Sequence, residues 1–245
     1  MSEIKLLDHG SIRLVDSMGS DLSIVRAARV SYNADWRTGE DEGKDQKLIH
    51  YLMKNRHTSP FESVTFTFEV KAPIFVFRQW HRHRMQSYSE LSARYAELPD
   101  EMYIPDIELI GKQSMHNKQV RTLGELSPGD RAMLEASLID YEDHLRNSYT
   151  LYQKLLNYYQ WPRELARSVL PFALYSKMFT TMNLHNLFHF VSLRLHPHAQ
   201  HEIMVYADAM MTLIEPFVPI SVKAYNDIVP EEIPAYFDTA DLLTY

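Results

Sequence analysis

The chain of 245 residues contains no cysteine and only seven glycines. Without cysteine it has no disulfide framework, no thiolate metal site and no cysteine nucleophile. The glycines form neither a G-x-G-x-x-G motif nor a Walker loop, so a bound dinucleotide would not lie on a Rossmann fingerprint. No apolar run is long enough for a membrane span, and the N-terminal residues lack the apolar run of a signal peptide. We therefore expect a cytoplasmic protein with no membrane partner.

One basic segment stands out because the formal net charge of the chain is -7. Five of the seven residues from 78 to 84 are arginine or histidine, namely Arg78, His81, Arg82, His83 and Arg84. A concentrated positive patch in an acidic protein favours a small anionic ligand over a polyanion. Since no extended basic stripe continues from this segment, we do not expect nucleic acid as a partner.

Hydrogen-bonding side chains follow the basic segment directly, at Ser87, Ser89, Glu90, Ser92 and Arg94. Side chains of these types can bond a sugar, a phosphate and the edge of a planar base. Arginine suits such a ligand because its fork grips a phosphate at two points and its plane can polarise a carbonyl edge. The arginines that we consider for this role are Arg78, Arg82, Arg84, Arg94, Arg167 and Arg194.

Two segments have the pattern of β-strands. Residues 64 to 70 alternate apolar and polar side chains with period two, which predicts a strand with one buried face. Residues 174 to 182 form the second predicted strand, and residues 1 to 20 are interpreted as short strands and turns. Residues 34 to 44 are interpreted as a mobile loop, 98 to 126 as irregular, and 227 to 245 as a loosely packed acidic tail.

Helical spacing and capping residues predict a series of helices between these segments. They run from Asp21 or Ser23 to about Tyr32, Asp45 to about His57, Ile74 to about His83, Ser127 to about Tyr159, Arg163 to Ser168, Asn183 to about Arg194 and His198 to about Phe217. No repeat, linker or low-complexity tract divides the chain. We therefore predict a single α+β domain over residues 1–245, with long helices flanking a central, mostly antiparallel sheet.

The clustered histidines raise the question of a metal site. His196, His198 and His201 are close in sequence, and His81 and His83 lie in the basic segment. However, the chain has no H-E-x-x-H motif, and the arginines beside His81 would repel a divalent cation. Hydrogen-bonded histidines are therefore the favoured interpretation, and we expect no metal.

Serine hydrolysis is a further alternative. Ser87 or Ser92 could form a triad with His83 and Glu90, but the sequence has no G-x-S-x-G motif. Serines beside charged groups more often only form hydrogen bonds. Recognition of a small, phosphorylated, planar ligand is the function that best fits the residues.

The order of residues in the basic segment carries a family resemblance. Arg82-His83-Arg84, followed after seven residues by Ser92, resembles the signature of the flavin-dependent thymidylate synthases. Further segments look like family blocks in family order, at residues 26–31, 57–62, 71–76, 166–171 and 194–200. Together they cover most of the chain from 22 to 215.

The resemblance implies methylation of dUMP to dTMP, with 5,10-methylenetetrahydrofolate as carbon donor and NADPH-reduced FAD as hydride source. By similarity, the flavin would be held by Ser59, Arg82, His83, Arg84, Glu90, Asn183, His185, His189 and His198. The nucleotide would be held by Gln79, Arg82, Glu90, Leu91, Ser92, Ala93, Arg94, Arg167 and Arg194. The family's sites form between the subunits of a homotetramer.

The resemblance also gives Arg194 a catalytic role. It would face the uracil and stabilise the negative charge that develops as N3 ionises and C5 becomes nucleophilic. A fixed cation of this kind would replace the cysteine on which the cysteine-dependent thymidylate synthases rely. The chain departs from the family pattern at His185 and His189, at Ala93 in place of a common glycine, and at His81 in place of a common aromatic residue.

Two other functions remain open at the level of sequence. One is a regulatory homologue that binds nucleotide and flavin but has lost the chemistry. The other is a flavoprotein that methylates RNA with folate, which the acidic composition disfavours.

Overall fold

The computed structural model describes residues 3–115 and 120–232. Its main sheet has five strands in the order β1-β2-β3-β7-β4, and every neighbouring pair is antiparallel. A separate two-stranded sheet pairs β5 with β6. The strands are β1 (Glu3–Leu6), β2 (Gly10–Met18), β3 (Thr65–Pro73), β4 (Ser87–Glu90), β5 (Lys112–Gln113), β6 (Arg121–Thr122) and β7 (Tyr175–Asn183).

The helices lie between and after the strands. Short 3-10 turns occupy residues 35–37, 59–63 and 167–169. The helices are α1 (Asp21–Val30), α2 (Glu42–Lys54), α3 (Ile74–Trp80), α4 (Ile107–Ile110), α5 (Pro128–Asn157), α6 (Arg163–Ala166), α7 (Leu184–Arg194), α8 (His201–Ile214) and α9 (Pro219–Glu232). Within the described ranges, no helix combines the length and apolarity that a membrane crossing demands. The predicted mixture of helices with a central antiparallel sheet is confirmed.

The central strands β3 and β7 form the buried middle of the sheet. Alternate side chains of β3, including Phe66 and Phe68, are fully buried, as the period-two pattern predicts. On β7, which pairs with β3 along its whole length, Met178 and Met182 face the same core. Helix α8 covers this core with Ile203, Tyr206, Ala207, Met210 and Ile214, all buried as predicted.

Two helix starts follow the predicted capping chemistry. The Ser127 hydroxyl oxygen accepts a hydrogen bond from the Asp130 N–H at 3.1 Å, and Pro128 opens α5. The Asn183 side-chain oxygen accepts one from the Asn186 N–H at 2.9 Å, which starts α7 at the end of β7. Both predictions are therefore confirmed, and β7 leads directly into the helix that carries Arg194.

The residue predicted to cap the N-terminus of α1 is wrong. Ser20 is the N-cap residue, and its N–H donates to the Ser23 hydroxyl at 3.1 Å. Asp21 is buried and turns instead toward the start of α9, where it accepts from the Ile220 N–H at 2.8 Å and the Ser221 N–H at 3.0 Å. A side chain 200 residues away thus satisfies backbone donors that α9 cannot bond internally.

The interpretations of the irregular segments need correction. Residues 34–44 contain a 3-10 turn, and α2 begins at Glu42, so half of this segment is regular. The buried Asp45 holds the segment in place. It forms an ion pair with Arg29 at 2.5 Å and accepts a hydrogen bond from the Gly39 N–H at 2.9 Å. Residues 98–126 contain α4, β5 and β6, with 116–119 outside the described residues. The expected tail is helical up to Glu232, and 233–245 lie outside the described residues.

Candidate active site

The basic segment is anchored by one aromatic residue of α3 and one of β4. Helix α3 ends at Trp80, three residues before the predicted end, because a turn follows in which the His83 N–H donates to the Trp80 carbonyl oxygen at 3.0 Å. Trp80 is fully buried, and its indole N–H donates to the Gln86 side chain at 3.1 Å. The hydroxyl of Tyr88 lies 2.5 Å from the His83 carbonyl oxygen. These contacts fix the segment between α3 and β4, a strand that sequence patterns did not predict.

The first cavity lies on one side of α3 and has a volume of about 640 Å³. It carries two arginines, Arg78 and Arg167. The Arg78 guanidinium lies 5.8 Å from the centre of the Phe172 ring, and the Arg167 Nε donates to the Glu164 carbonyl oxygen at 3.3 Å. The lining residues are Ile74, Phe77, Arg78, His81, Glu90, Leu91, Ser92, Ala93, Leu98, Glu164, Arg167, Ser168, Leu170, Phe172 and Ser176.

The loop after β4 supplies one wall of this first cavity. The Leu91 N–H donates to the Lys177 carbonyl oxygen at 2.8 Å, which holds the loop against β7. The backbone then turns, so that the Arg94 N–H lies 3.3 Å from the Ser92 hydroxyl oxygen. Ala93 packs inward at 6% exposure among apolar residues. The loop therefore offers polar groups to the cavity from a fixed backbone.

The second cavity, with a volume of about 570 Å³, lies between the basic segment and α7. Its walls are rich in positive and imidazole side chains. It is lined by Arg82, His83, Arg84, Met85, Gln86, Asn186, His189, Leu193 and Arg194. A cavity of this composition favours an anionic ligand.

Arg194, the last residue of α7, joins this second cavity to α3. Its Nε donates to Nε2 of His83 at 2.9 Å, and its Nη2 donates to the Gln79 carbonyl oxygen at 3.2 Å. Burial lowers the pKa of His83 to about 4, and the nearby Arg194 and His189 add to this effect. The imidazole is therefore neutral at pH 7 and can accept the hydrogen bond from the guanidinium.

Glu90 stands at the edge of the first cavity beside His81. The nearest carboxylate oxygen lies 3.9 Å from Nε2 of His81. The His81 ring stacks on Phe77 and meets Tyr88 edge-on, with ring centres 6.3 and 4.9 Å apart. His81 thus packs as an aromatic ring, while keeping a polar edge toward Glu90.

The structure groups most of the residues expected at the site, but into two cavities. The first brings together Glu90, Leu91, Ser92, Ala93 and Arg167. The second brings together Arg82, His83, Arg84, His189 and Arg194. The residues that resemblance assigns to the nucleotide are therefore divided between them within one chain.

The remaining expected residues lie near these groups or apart from them. Gln79 touches Arg194 through its carbonyl, and its side chain bonds to Gln200. Asn183 caps α7 next to Asn186 of the second cavity, and the exposed Arg94 lies over the Tyr95 ring at 5.7 Å. In the described part of the chain, Gln79, Asn183 and Arg94 line neither cavity, and Ser59, His185 and His198 also lie outside both linings.

Several lining residues of the first cavity were not among those that the resemblance assigns to a ligand. Arg78 is one of them, although the basic segment had already made it a candidate arginine. His81 is another member of that segment. Phe172 and Ser176 lie more than ninety residues further along, and no local pattern marks them.

Both cavities carry arginines that can hold an anionic group, and the first also carries Glu90 and Glu164. Comparisons with known proteins are more specific. The sequence matches the model of the family described as thymidylate synthase complementing protein over residues 13–220. It is 42% identical over 235 residues to the flavin-dependent thymidylate synthase of Rickettsia bellii, covering 91% of this chain and 78% of that protein. The identity to the flavin-dependent thymidylate synthase of Thermotoga neapolitana is 44% over 224 residues, covering 91% and 94%.

A solved structure agrees with these sequence matches. It is the crystal structure of the UMP/dUMP methylase PolB from Streptomyces cacaoi bound with 5-Br dUMP, which matches with a TM-score of 0.79 at 37% identity. The match covers 92% of this chain and 98% of that chain. The chain belongs to the flavin-dependent thymidylate synthase family. The predicted family, and with it the methyltransferase class, is confirmed.

Proposed function

We propose that this chain converts dUMP to dTMP, with 5,10-methylenetetrahydrofolate as carbon donor and FAD reduced by NADPH as hydride source. The observation that carries the proposal is the placement of Arg194. A buried neutral imidazole and a backbone carbonyl hold its guanidinium at the wall of a cationic cavity. The chain contains no cysteine, so activation of the uracil ring requires a different group, and a fixed cation is suited to it.

The first cavity fits the phosphate and sugar of the nucleotide. Two arginines face it, and in the described residues neither Arg78 nor Arg167 has a carboxylate partner within ion-pair distance. Ser92 and the backbone beside Ala93 add hydrogen-bonding groups from a fixed loop. Arginine forks and serine hydroxyls are the usual partners of a phosphate ester. The nucleotide analogue in the PolB structure is consistent with such a ligand for this fold.

The second cavity fits a flavin nucleotide by the chemistry of its donors. Arg82 and Arg84 are exposed there and can neutralise a pyrophosphate, and Asn186 and His189 add polar edges. We propose that FAD is held here with help from the other residues implied by resemblance, which are Ser59, Glu90, Asn183, His185 and His198.

The residues of this chain do two things in the proposed reaction. When bound, FAD, NADPH and methylenetetrahydrofolate supply the hydride and the one-carbon unit. Arg194 stabilises the negative charge that develops on the uracil as N3 ionises, and this makes C5 nucleophilic. Arg167 and Ser92 hold the phosphorylated sugar, so that the base is presented in one orientation.

The division of the nucleotide residues between two cavities supports sites that are shared between subunits. We propose that the chain, folded as one domain, forms a homotetramer in which Arg167 of one subunit and Arg194 of another serve one nucleotide. Co-expression of R167A and R194A chains tests this. Hybrid tetramers would regain dTMP formation at sites that carry both arginines. If both arginines served the nucleotide from the same chain, every hybrid site would be damaged, and activity would stay at the level of the single variants.

The primary test of function is a visible spectrum of the purified protein with FAD. We expect an oxidised-flavin spectrum that bleaches with NADPH, faster in the presence of dUMP, and dTMP when methylenetetrahydrofolate is added. Bleaching without any dTMP would instead favour the alternative, a homologue that binds nucleotide and flavin but lacks the chemistry. A protein that cannot be loaded with FAD would overturn the enzyme proposal.

A further inference from the structure

The contact between His83 and Arg194 has features that go beyond binding of the flavin. The two residues are 111 positions apart, and the bond joins the basic segment to the last residue of α7. His83 is only 9% exposed, so most of its surface is taken up by protein contacts. Its ring meets Phe190 edge-on, with centres 4.7 Å apart, and its backbone carbonyl lies 2.5 Å from the Tyr88 hydroxyl. Both the ring and the backbone of His83 are therefore fixed before any ligand arrives.

The chemistry of the contact requires a neutral imidazole. A guanidinium only donates hydrogen bonds, so Nε2 of His83 must be unprotonated and its proton must lie on Nδ1. The titratable and charged groups that face His83 are Arg194 on α7 and His189, whose ring centre is 6.2 Å away. Both disfavour a second positive charge at His83, as does burial. The acceptor is thus maintained by its surroundings at neutral pH.

The second bond to Arg194 comes from a different element. The Gln79 carbonyl oxygen accepts from Nη2 at 3.2 Å, so two acceptors take up donors on Nε and Nη2. Arginine has five N–H donors in a rigid plane, and fixing Nε and one Nη2 hydrogen sets the direction of the whole fork. The remaining donors are then presented in one orientation at the wall of the second cavity.

We infer that His83 is a positioning residue for Arg194: its Nε2 orients the guanidinium that acts on the uracil, in addition to any contact with the flavin. This inference rests on the proposed function, because it assumes that Arg194 stabilises the uracil anion. Electrostatic stabilisation depends on placing the charge before the reaction, so a loose guanidinium would stabilise the transition state less. Binding of the ground-state nucleotide, held mainly by the first cavity, would change little.

Two substitutions separate this role from a structural one. Leucine in H83L fills space without accepting a hydrogen bond, whereas the side-chain oxygen of glutamine in H83Q can accept one. With FAD saturating, we expect H83L to lower kcat about 10- to 100-fold, the range for one hydrogen bond to a charged group, while KM for dUMP changes little. H83Q should recover most of kcat. H144Q, at an exposed position on α5, is the matched control and should keep wild-type values.

The pH dependence of kcat provides a second, independent readout. Protonation removes the acceptor on His83, so the wild-type enzyme should lose kcat as pH falls toward 4, and H83Q, which cannot titrate there, should lose less. If His83 had a purely structural role, its replacement by glutamine would not change this decrease of kcat at low pH. Flavin content per chain and the melting temperature are measured for each variant, so that rates are compared per folded, flavin-loaded site.

The outcomes distinguish the two proposals. If the wild type forms no dTMP, the proposed function fails before His83 is tested. If the wild type is active and flavin-loaded H83L matches its kcat, the positioning role is wrong. The positioning role would also be wrong if H83L and H83Q lost kcat equally and H83Q kept the wild-type decrease of kcat at low pH. The hydrogen-bond acceptor would then not matter.

Discussion

Arg78 and Gln79 are consecutive residues of α3, yet they serve different cavities. Arg78 lines the first cavity, whereas the Gln79 carbonyl holds Arg194, which lines the second. The Arg78 side chain points outward from the helix, whereas the Gln79 carbonyl belongs to the last turn, whose carbonyls can accept bonds from beyond the helix end. A single turn can therefore serve two sites. The buried Phe77 and Trp80 of the same helix fix its rotation. Helix α3 is therefore the wall between the two groups of candidate site residues.

The catalytic role that we propose for Arg194 predicts a large loss of activity when its side chain is truncated. R194A should lower dTMP formation at least about 100-fold, the usual effect of removing a preorganised electrostatic stabiliser. Because Arg82 and Arg84 would remain in the second cavity, FAD should stay bound. Product formation is measured by chromatography and flavin content by absorbance. Unchanged dTMP formation in R194A would show that the role assigned to Arg194 is wrong.

The position of Arg167 in the first cavity predicts that its removal lowers the affinity for the nucleotide. R167A removes one of two arginines from the first cavity and should weaken dUMP binding about 10- to 100-fold, as expected for a hydrogen bond to a charged group. Isothermal titration of the FAD-loaded protein measures this. Arg163 is the matched control, since it lies on the adjacent helix α6, is half exposed and pairs with Glu97 at 3.9 Å. R163A should leave the affinity within about twofold, and an equal loss in both variants would argue against a specific phosphate contact.

The hydrogen bonds that Asp21 accepts at the start of α9 should stabilise the fold at a position outside the candidate site. D21A removes the acceptor for two backbone N–H groups and the Ser221 hydroxyl, and should lower the free energy of unfolding by about 2 kcal/mol. Urea denaturation followed by circular dichroism measures it. D143A, at an exposed position of α5, should cost less than about 0.5 kcal/mol. If D21A is as stable as D143A, Asp21 does not stabilise the start of α9.

His83 predicts a pH dependence of stability. Its pKa in the fold, about 4, lies below the ordinary value of 6.5. Between these values the unfolded chain binds more protons at this residue than the folded chain does, so the free energy of unfolding rises with pH through this window and falls on acidification. H83Q should lose part of the difference in stability between pH 7 and pH 5. An identical pH dependence in H83Q and wild type would show that His83 does not titrate with the lowered pKa.

Local patterns predicted much of the secondary structure because the relevant information is local. The alternation that predicts β3 is a property of neighbouring residues, as are the serine and asparagine caps of α5 and α7. The prediction of short elements failed for the same reason, because their few residues carry little local information. Strand β4 has only four residues and no apolar alternation, so it exists because β7 offers it a partner edge.

The sequence by itself determined the family, the absence of a cysteine nucleophile and the candidate arginines, because residue types and their order carry that information directly. Only the tertiary structure decided that Arg82 and Arg194 line one cavity while Ser92 and Arg167 line another. It also decided that His83 is buried against Arg194, which makes its imidazole a neutral acceptor. Burial and distances between residues far apart in the chain depend on how the elements pack, and no local pattern encodes them.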